Sequence, residues 1–382
     1  MKVVIAPDSF KESLTAMEVA DAIERGCRFV WPDANYIKLP MADGGEGTVQ
    51  SLVDATGGSI VPVVVTGPMG EPVDAFYGLL GDGRTAVIEM AAASGIHLVA
   101  AEDRNPLTTT SYGTGELILA AIAQGVTSII IGIGGSATND GGVGMLQALG
   151  ARCLDRQGNE IAFGGGALRE LDCLDLSGLL PALTQVELNV ACDVDNPLCG
   201  ELGASAVFGP QKGATAAMVK QLDDNLAHYA DIIERTTGAM VKHQAGSGAA
   251  GGLGAALLGV LHAKLTPGID IVMQALALDS HLQDADLVIT GEGRIDSQTI
   301  HGKTPIGVAK AAKRYDIPVI GIAGSLAKDC AIVHQHGLDA VFSVVLGATD
   351  LPTALKEAAF NVELTARNVA AALAVTFEDG GD

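Results

Sequence analysis

The sequence is poor in positive charge, poor in aromatics and free of long uninterrupted apolar runs. Lys and Arg number 23 against 45 Asp and Glu, a formal net charge of −22 over 382 residues. Such a chain repels nucleic-acid backbones and anionic membranes. Any phosphate it handles must be met by a metal ion or by a few local Lys, Arg and backbone N–H groups. Aromatic residues are 4% of the chain, with a single Trp, so stacking platforms for single strands are excluded. The six cysteines lie far apart with no C-x-x-C spacing, and are expected to be reduced, buried, small apolar residues. The most apolar stretch, Gly246 to Leu265, is broken by glycines and carries His262 and Lys264. It reads as a buried helix with a glycine-rich entry, not a membrane span. The N-terminus turns polar after one short strand, unlike a signal peptide, so a soluble cytoplasmic protein is expected. There is no internal repeat and no low-complexity tract.

What the chain does have is length, apolar residues (48%) and glycine (49 residues). At about 150 residues per domain, two domains are expected. Both ends alternate strand and helix. Lys2–Ala6 and Tyr36–Leu39 read as strands, with a helix opened by the Thr15-Ala-Met-Glu18 capping box and another over Thr48–Ala55. Leu287–Thr290, Val319–Ala323 and Val341–Val345 read as three more strands. Neither end supplies enough strands alone. The expectation is therefore an α/β protein of two domains, one with a parallel Rossmann- or flavodoxin-like sheet built from both termini (1–60 and 285–382). The other is an inserted mixed α/β domain (61–284), with strands at Val61–Val65, Val73–Leu80 and Ala86–Met90 set off by turn signals. Cys153–Ile161 reads as a hairpin, and helices are expected near 113–124, 141–149, 214–236 and 252–263.

Glycine-rich loops let backbone N–H groups converge on an anion. Five occur, at 42–48, 132–142, 164–166, 246–254 and 290–296. Gly132/Gly134/Ala137 and Gly246/Gly248/Gly251 each satisfy G-x-G-x-x-G/A, and the first follows a strand at Ser128–Ile131. A dinucleotide-binding dehydrogenase is thus a live alternative. Gly302-Lys303-Thr304 resembles the end of a P-loop, but position 297, where the first glycine must fall, is Ser297. G-x-S-x-G and H-E-x-x-H are absent, so an α/β-hydrolase or a zincin has no support. Polar residues cluster where strands are expected to end: Asp8, Ser9 and Lys11; Asp43 and Glu46; Asn139 and Asp140; Asp193, Asp195 and Asn196; Glu292 and Asp296. Each loop alone can be a turn or a helix cap. Five at strand exits point to a ligand site, and oxygen ligands without a His/Cys cluster suit Mg2+.

Six segments in order resemble the bacterial type I glycerate kinase family: Ala6–Lys11, Ala42–Thr48, Gly132–Gly142, Cys192–Leu198, Val207–Ala214 and Thr290–Asp296. The resemblance runs from residue 1 to about 375, with Glu12 standing where glycine is expected. It implies ATP-dependent phosphorylation of D-glycerate, with the 2-hydroxyl as acceptor. ATP and D-glycerate are then the partners, with no nucleic acid or membrane, and a homodimer is the candidate assembly. Phosphoryl transfer needs positioning and charge neutralisation above all. The expected roles place ATP and glycerate between the domains, with Lys11 and Lys303 on phosphates and Asp193 as proton acceptor. Glu292 and Asp296 would hold Mg2+, and Arg294 would clamp the glycerate carboxylate, its alternative being a surface ion pair. Ser9, Gly134, Gly135, Ser136, Asn139 and Lys212 complete the expected nucleotide site. A glycerate 3-kinase, an NAD(P)-dependent hydroxy-acid dehydrogenase and a non-catalytic ligand sensor are the competing readings.

Overall fold

A computed structural model of the chain describes residues 1–375. Residues 376–382, counted above in the terminal domain, lie outside the described residues. In chain order the strands are β1 (Lys2–Pro7), β2 (Asn35–Lys38), β3 (Ser59–Thr66), β4 (Pro72–Leu79) and β5 (Thr85–Glu89). There follow β6 (Ser128–Gly132), β7 (Arg152–Leu154), β8 (Cys173–Asp175), β9 (Glu187–Ala191) and β10 (Lys264–Thr266). The chain closes with β11 (Leu287–Ile295), β12 (Val319–Leu326) and β13 (Ala340–Ser343).

The first compact unit comprises Met1–Asp43, Asp54–Thr56 and the chain from Val272 onward. Its sheet is wholly parallel, in the order β13-β12-β11-β1-β2. Counted within the unit, that is the 2-1-3-4-5 order of flavodoxin-like folds, with the topological switch between β1 and β11. Val3, Val4 and Ile5 are all fully buried, because helices cover both faces and every strand residue needs an apolar side chain. The helix Ala16–Arg28 starts at the expected capping box: the Glu18 N–H donates to Thr15 Oγ1 at 3.2 Å, and the Thr15 N–H donates to Glu18 Oε2 at 2.8 Å. It buries Val19, Ala20, Ile23 and Cys27, each large apolar side chain contributing about 1.5–3 kcal/mol.

The second compact unit comprises Gly44–Val53 and Gly57–Ile271. Its main sheet runs β10-β9-β6-β5-β4-β3, parallel from β10 to β5 and antiparallel beyond. The centre is the buried Ile129-Ile130-Ile131 of β6, and Pro62, which has no N–H to give a ladder, lies on the edge strand β3. The chain passes from one unit to the other at 43/44, 53/54, 56/57 and 271/272; the sequence reading sets the domain edges at 60/61 and 284/285.

Three local expectations differ. The 290–296 segment is not a loop: β11 continues through it, with Gly291 paired to Ile322 and Arg294 to Ser325. A side chain at Gly291 would collide with the Ile322 carbonyl, so glycine serves close strand approach there. The Cys153–Ile161 hairpin keeps one bridge, Leu154 to Glu160, but the ladder partner of β7 is β8. The helix expected over 252–263 ends at Gly259, and the chain then pairs as β10 beside β9. Among the cysteines all six are free, but Cys173 is exposed and Cys192 and Cys330 are half-buried.

Candidate active site

In the first unit, the switch point brings together residues from three segments. Asp8 leaves β1 with Ser9 folded back on it, the Ser9 N–H donating to Asp8 Oδ1 at 2.6 Å. The other oxygen, Oδ2, accepts the Thr304 hydroxyl at 2.8 Å. Thr304 opens the helix Thr304–Lys313, after Gly302 and the capping residue Lys303. Burial, reinforced by repulsion from Asp43 and Glu292, pushes the Asp8 carboxyl up to about 6 from its ordinary 3.8. Glu292 points from β11 into the same region. Its Oε1 accepts the Thr299 hydroxyl at 2.5 Å and its Oε2 the Lys303 ammonium at 3.3 Å. Burial again raises its pKa, with Thr299 and Lys303 opposing. Crowded carboxylates beside one lysine could hold a cation and meet a phosphate.

Of the other expected residues of this unit, Arg294 and Lys11 are exposed, while Asp296 stays beside the cluster, its charge adding to burial in raising the Glu292 carboxyl. Arg294 is 67% exposed and its Nε lies 3.4 Å from Asp296 Oδ2. Asp296 Oδ1 accepts the Gln298 N–H at 2.8 Å. Among the described residues no three His, Cys, Asp or Glu side chains form a ready cage. The donor chemistry fits Mg2+, which is held by one or two carboxylates together with substrate phosphates.

In the second unit, the 132–142 loop leaves β6 with Gly134 and Gly135 exposed and Ser136, Thr138, Asn139 and Asp140 buried. Lys212 reaches beneath it. Its ammonium donates to Ser136 Oγ at 2.7 Å and to the Thr138 carbonyl at 2.6 Å. Burial pulls this lysine down to about 7, against the pull of Asp140. Lys212 and Ser136 thus meet as expected, but the lysine is 2% exposed and braces the loop from inside. Asn139 Nδ2 donates to Ser205 Oγ at 3.0 Å, and its Oδ1 finds no partner.

Asp140 fills the start of the short helix Val143–Ala148. Its oxygens accept the N–H groups of Gly142 at 3.1 Å and Gly144 at 3.3 Å, plus the Ser111 N–H and hydroxyl, each at 2.8 Å. A dinucleotide fold reserves that helix start for pyrophosphate; here a carboxylate of the protein occupies it. The helix Thr48–Thr56, which follows the 42–48 glycine loop, is closed in the same way. Glu89 at the end of β5 accepts the Val49 N–H at 2.9 Å, and Gly47 and Thr48 bond to it as well. Asp193, just past β9, is exposed and accepts the Gly268 N–H on Oδ1 at 3.0 Å.

Sequence reasoning singles out Asp8 and Glu292 as following strands and Lys303 as following a glycine; Glu292 instead lies within β11. The same reasoning misses Thr299, Thr304, Ser111 and Glu89. For Glu89 the signal was available, a carboxylate at the carboxyl end of an apolar strand. Thr299 and Ser111 have no motif of their own, and Thr304 opens a helix after the Gly-Lys pair that the P-loop comparison sets aside.

Fold and polar clusters define a two-unit α/β protein with polar side chains gathered near the carboxyl ends of parallel strands. The glycerate kinase family profile matches residues 3–374. A protein of Bacillus subtilis (strain 168) named glycerate kinase is 65% identical over 373 residues, 98% of either chain. The protein of Escherichia coli (strain K12) named glycerate 2-kinase is 59% identical over 381 residues, the whole of both chains. A crystal structure from Salmonella typhimurium LT2, described as glycerate kinase 2, superposes with a TM-score of 0.91 at 62% identity and 98% coverage of each chain. This chain belongs to the glycerate kinase family.

Proposed function

We propose that this protein transfers the γ-phosphoryl group of ATP to the 2-hydroxyl of D-glycerate, giving 2-phospho-D-glycerate and ADP. The observation that carries the 2-position is the full-length likeness to the Escherichia coli protein named glycerate 2-kinase, at 59% identity. The dehydrogenase alternative loses its physical basis, since Asp140 closes the helix start that a dinucleotide would need.

In this reading Lys303 and Lys11 meet the nucleotide phosphates, and Ser9 and the exposed backbone at Gly134 and Gly135 add donors. Ser136 and Asn139 keep the 132–142 loop in shape, and Lys212 fixes it from below. Glu292 and Asp296 hold Mg2+ directly or through water, with Asp8 beside them. The metal, when bound, neutralises phosphate charge. Arg294 clamps the glycerate carboxylate through its planar fork, for which it must leave Asp296. Asp193 accepts the hydroxyl proton, held at its strand exit by the Gly268 N–H. The two domains, 1–60 with 285–382 and 61–284, carry these groups.

A coupled assay with ATP, Mg2+ and D-glycerate tests the reaction, and phosphorus NMR of the product tests the position. The expected product is the 2-phosphate ester. A 3-phosphate ester overturns the position, and absence of ADP release overturns the kinase reading.

A further inference from the structure

Glu292 and Gly293 are successive residues of β11, so they face opposite sides of the sheet. Glu292 belongs with Thr299 and Lys303. Gly293 instead lines a cavity of about 140 Å3 within the first unit. The cavity lies at the carboxyl ends of β11 and β12 and just beyond those of β1 and β13, where open α/β sheets bind ligands. Phe10, Val344, Leu355 and Ala358 give it apolar walls. The Ser13 hydroxyl donates to the Leu355 carbonyl at 3.1 Å and ties two of those walls together. The absent side chain of Gly293 helps keep the space open: a Cβ there would lie 3.6 Å from Phe10 Cα and Lys11 N, in ordinary contact.

The chemistry of the lining narrows the occupant. Whole small-molecule sites run to about 300 Å3 or more, so this space takes one ring-sized part of a larger ligand. Its walls are mostly apolar; the polar side chains are a buried carboxamide, Asn361, two serines, Ser325 and the Leu355-bonded Ser13, and the exposed Lys11. That is the pattern for a flat heteroaromatic ring, with faces on hydrocarbon and one edge hydrogen-bonded. A carboxamide offers a donor and an acceptor side by side, matching the amino group and ring nitrogen at an adenine edge. Around the site, Val345, Leu346 and Leu351 are 42%, 52% and 67% exposed, an apolar surface that a bound ring would help cover.

We propose that this cavity is the purine subsite of the nucleotide, with the adenine edge on Asn361 and the phosphates leaving past Lys11. The inference rests on the kinase reading above and adds to it the part of the protein that selects the base. Ala354, a half-buried lining residue, is the place to fill the space. Ala354→Trp should raise KM for ATP by about tenfold or more, leaving KM for D-glycerate and the melting temperature near their wild-type values. Calorimetry with ADP as probe should show the same loss of affinity. Asn361→Leu should weaken ADP binding by about tenfold and reduce the preference for ATP over CTP and UTP. An unchanged ATP KM in folded Ala354→Trp overturns the proposal, as does wild-type turnover with CTP and UTP equal to that with ATP. If Ala354→Trp does not fold, the Asn361→Leu calorimetry decides, and unchanged ADP affinity refutes the subsite. If the wild type releases no ADP with glycerate, the kinase reading fails. ADP binding and its loss in the variants then still judge the cavity.

Discussion

Asp8 shows what a strand exit does to one side chain. Its carboxyl, raised to about 6, binds a proton in the folded state that the unfolded chain has released above 3.8. Stability from this group is therefore complete below pH 3.8 and lost as pH rises through 6. Asp8→Asn should gain in melting temperature on the wild type between pH 4 and pH 7, a difference that scanning fluorimetry reads directly. Lys212 carries the opposite sign. Its pKa, about 7 in place of 10.5, means the unfolded chain holds the extra proton between those values. The wild type should thus gain stability over Lys212→Met as pH rises from 7 toward 10. At every pH the variant should be weaker, by about 1–3 kcal/mol for each polar group left unpaired at Ser136 and Thr138. Asp193 is a matter of rate. Asp193→Asn keeps an acceptor for the Gly268 N–H, so the loop should hold while kcat falls by about 10²–10⁴ and KM for ATP stays level. Near-normal kcat would remove Asp193 from the reaction and turn attention to Asp8, Asp43 or Asp140. A collapse of Mg2+–ATP binding would make it a metal ligand.

Among the elements, turns and helix starts carry the informative differences. Glu12 sits at φ 65°, in the left-handed region that favours glycine. The resemblance to the glycerate kinase family led us to expect glycine at that position. Glu12→Gly should relieve the strain and raise stability by about 0.5–1 kcal/mol, read as a shift of the urea midpoint. Thr15→Ala removes the hydroxyl of the capping box and should cost about 1 kcal/mol in the same measurement. Helix starts that look like anion sites in the sequence behave differently. Asp140 and Glu89 reach the starts at Val143 and Thr48 from within the chain. The start at Thr304, by contrast, faces Asp8 through a hydroxyl, with Lys303 beside it. The same Gly-Lys-Thr that fails as a P-loop in the sequence thus opens a helix at the switch point.

For the molecule as a whole, a net charge of −22 sets the terms on which it can handle a triphosphate. With so few local cations, nucleotide binding should depend strongly on Mg2+. EDTA should abolish turnover and excess Mg2+ restore it. Full activity in EDTA would show that Lys11 and Lys303 suffice without the metal assigned to Glu292 and Asp296. Among the described residues, no helix is long and apolar enough to cross a membrane.

Local pattern determined a good deal by itself. The alternation of strand and helix, the Thr15 capping box and the union of both termini in one parallel sheet were readable because they follow from hydrophobic period and from counting strands. The strand-exit places of Asp8 and Asp193 were readable for the same reason, whereas Glu292 lies inside β11, which runs on to Ile295. Tertiary structure decided which groups meet. Asp8 and Thr304 are bonded across 296 positions, and Lys212 lies under a loop more than 70 residues earlier. Such contacts depend on strand register and helix placement, which no local period records. Glycine was the least decisive letter. At Gly291 it serves close strand approach and at Gly134 an exposed loop, because a missing Cβ permits either and only the neighbouring backbone selects between them.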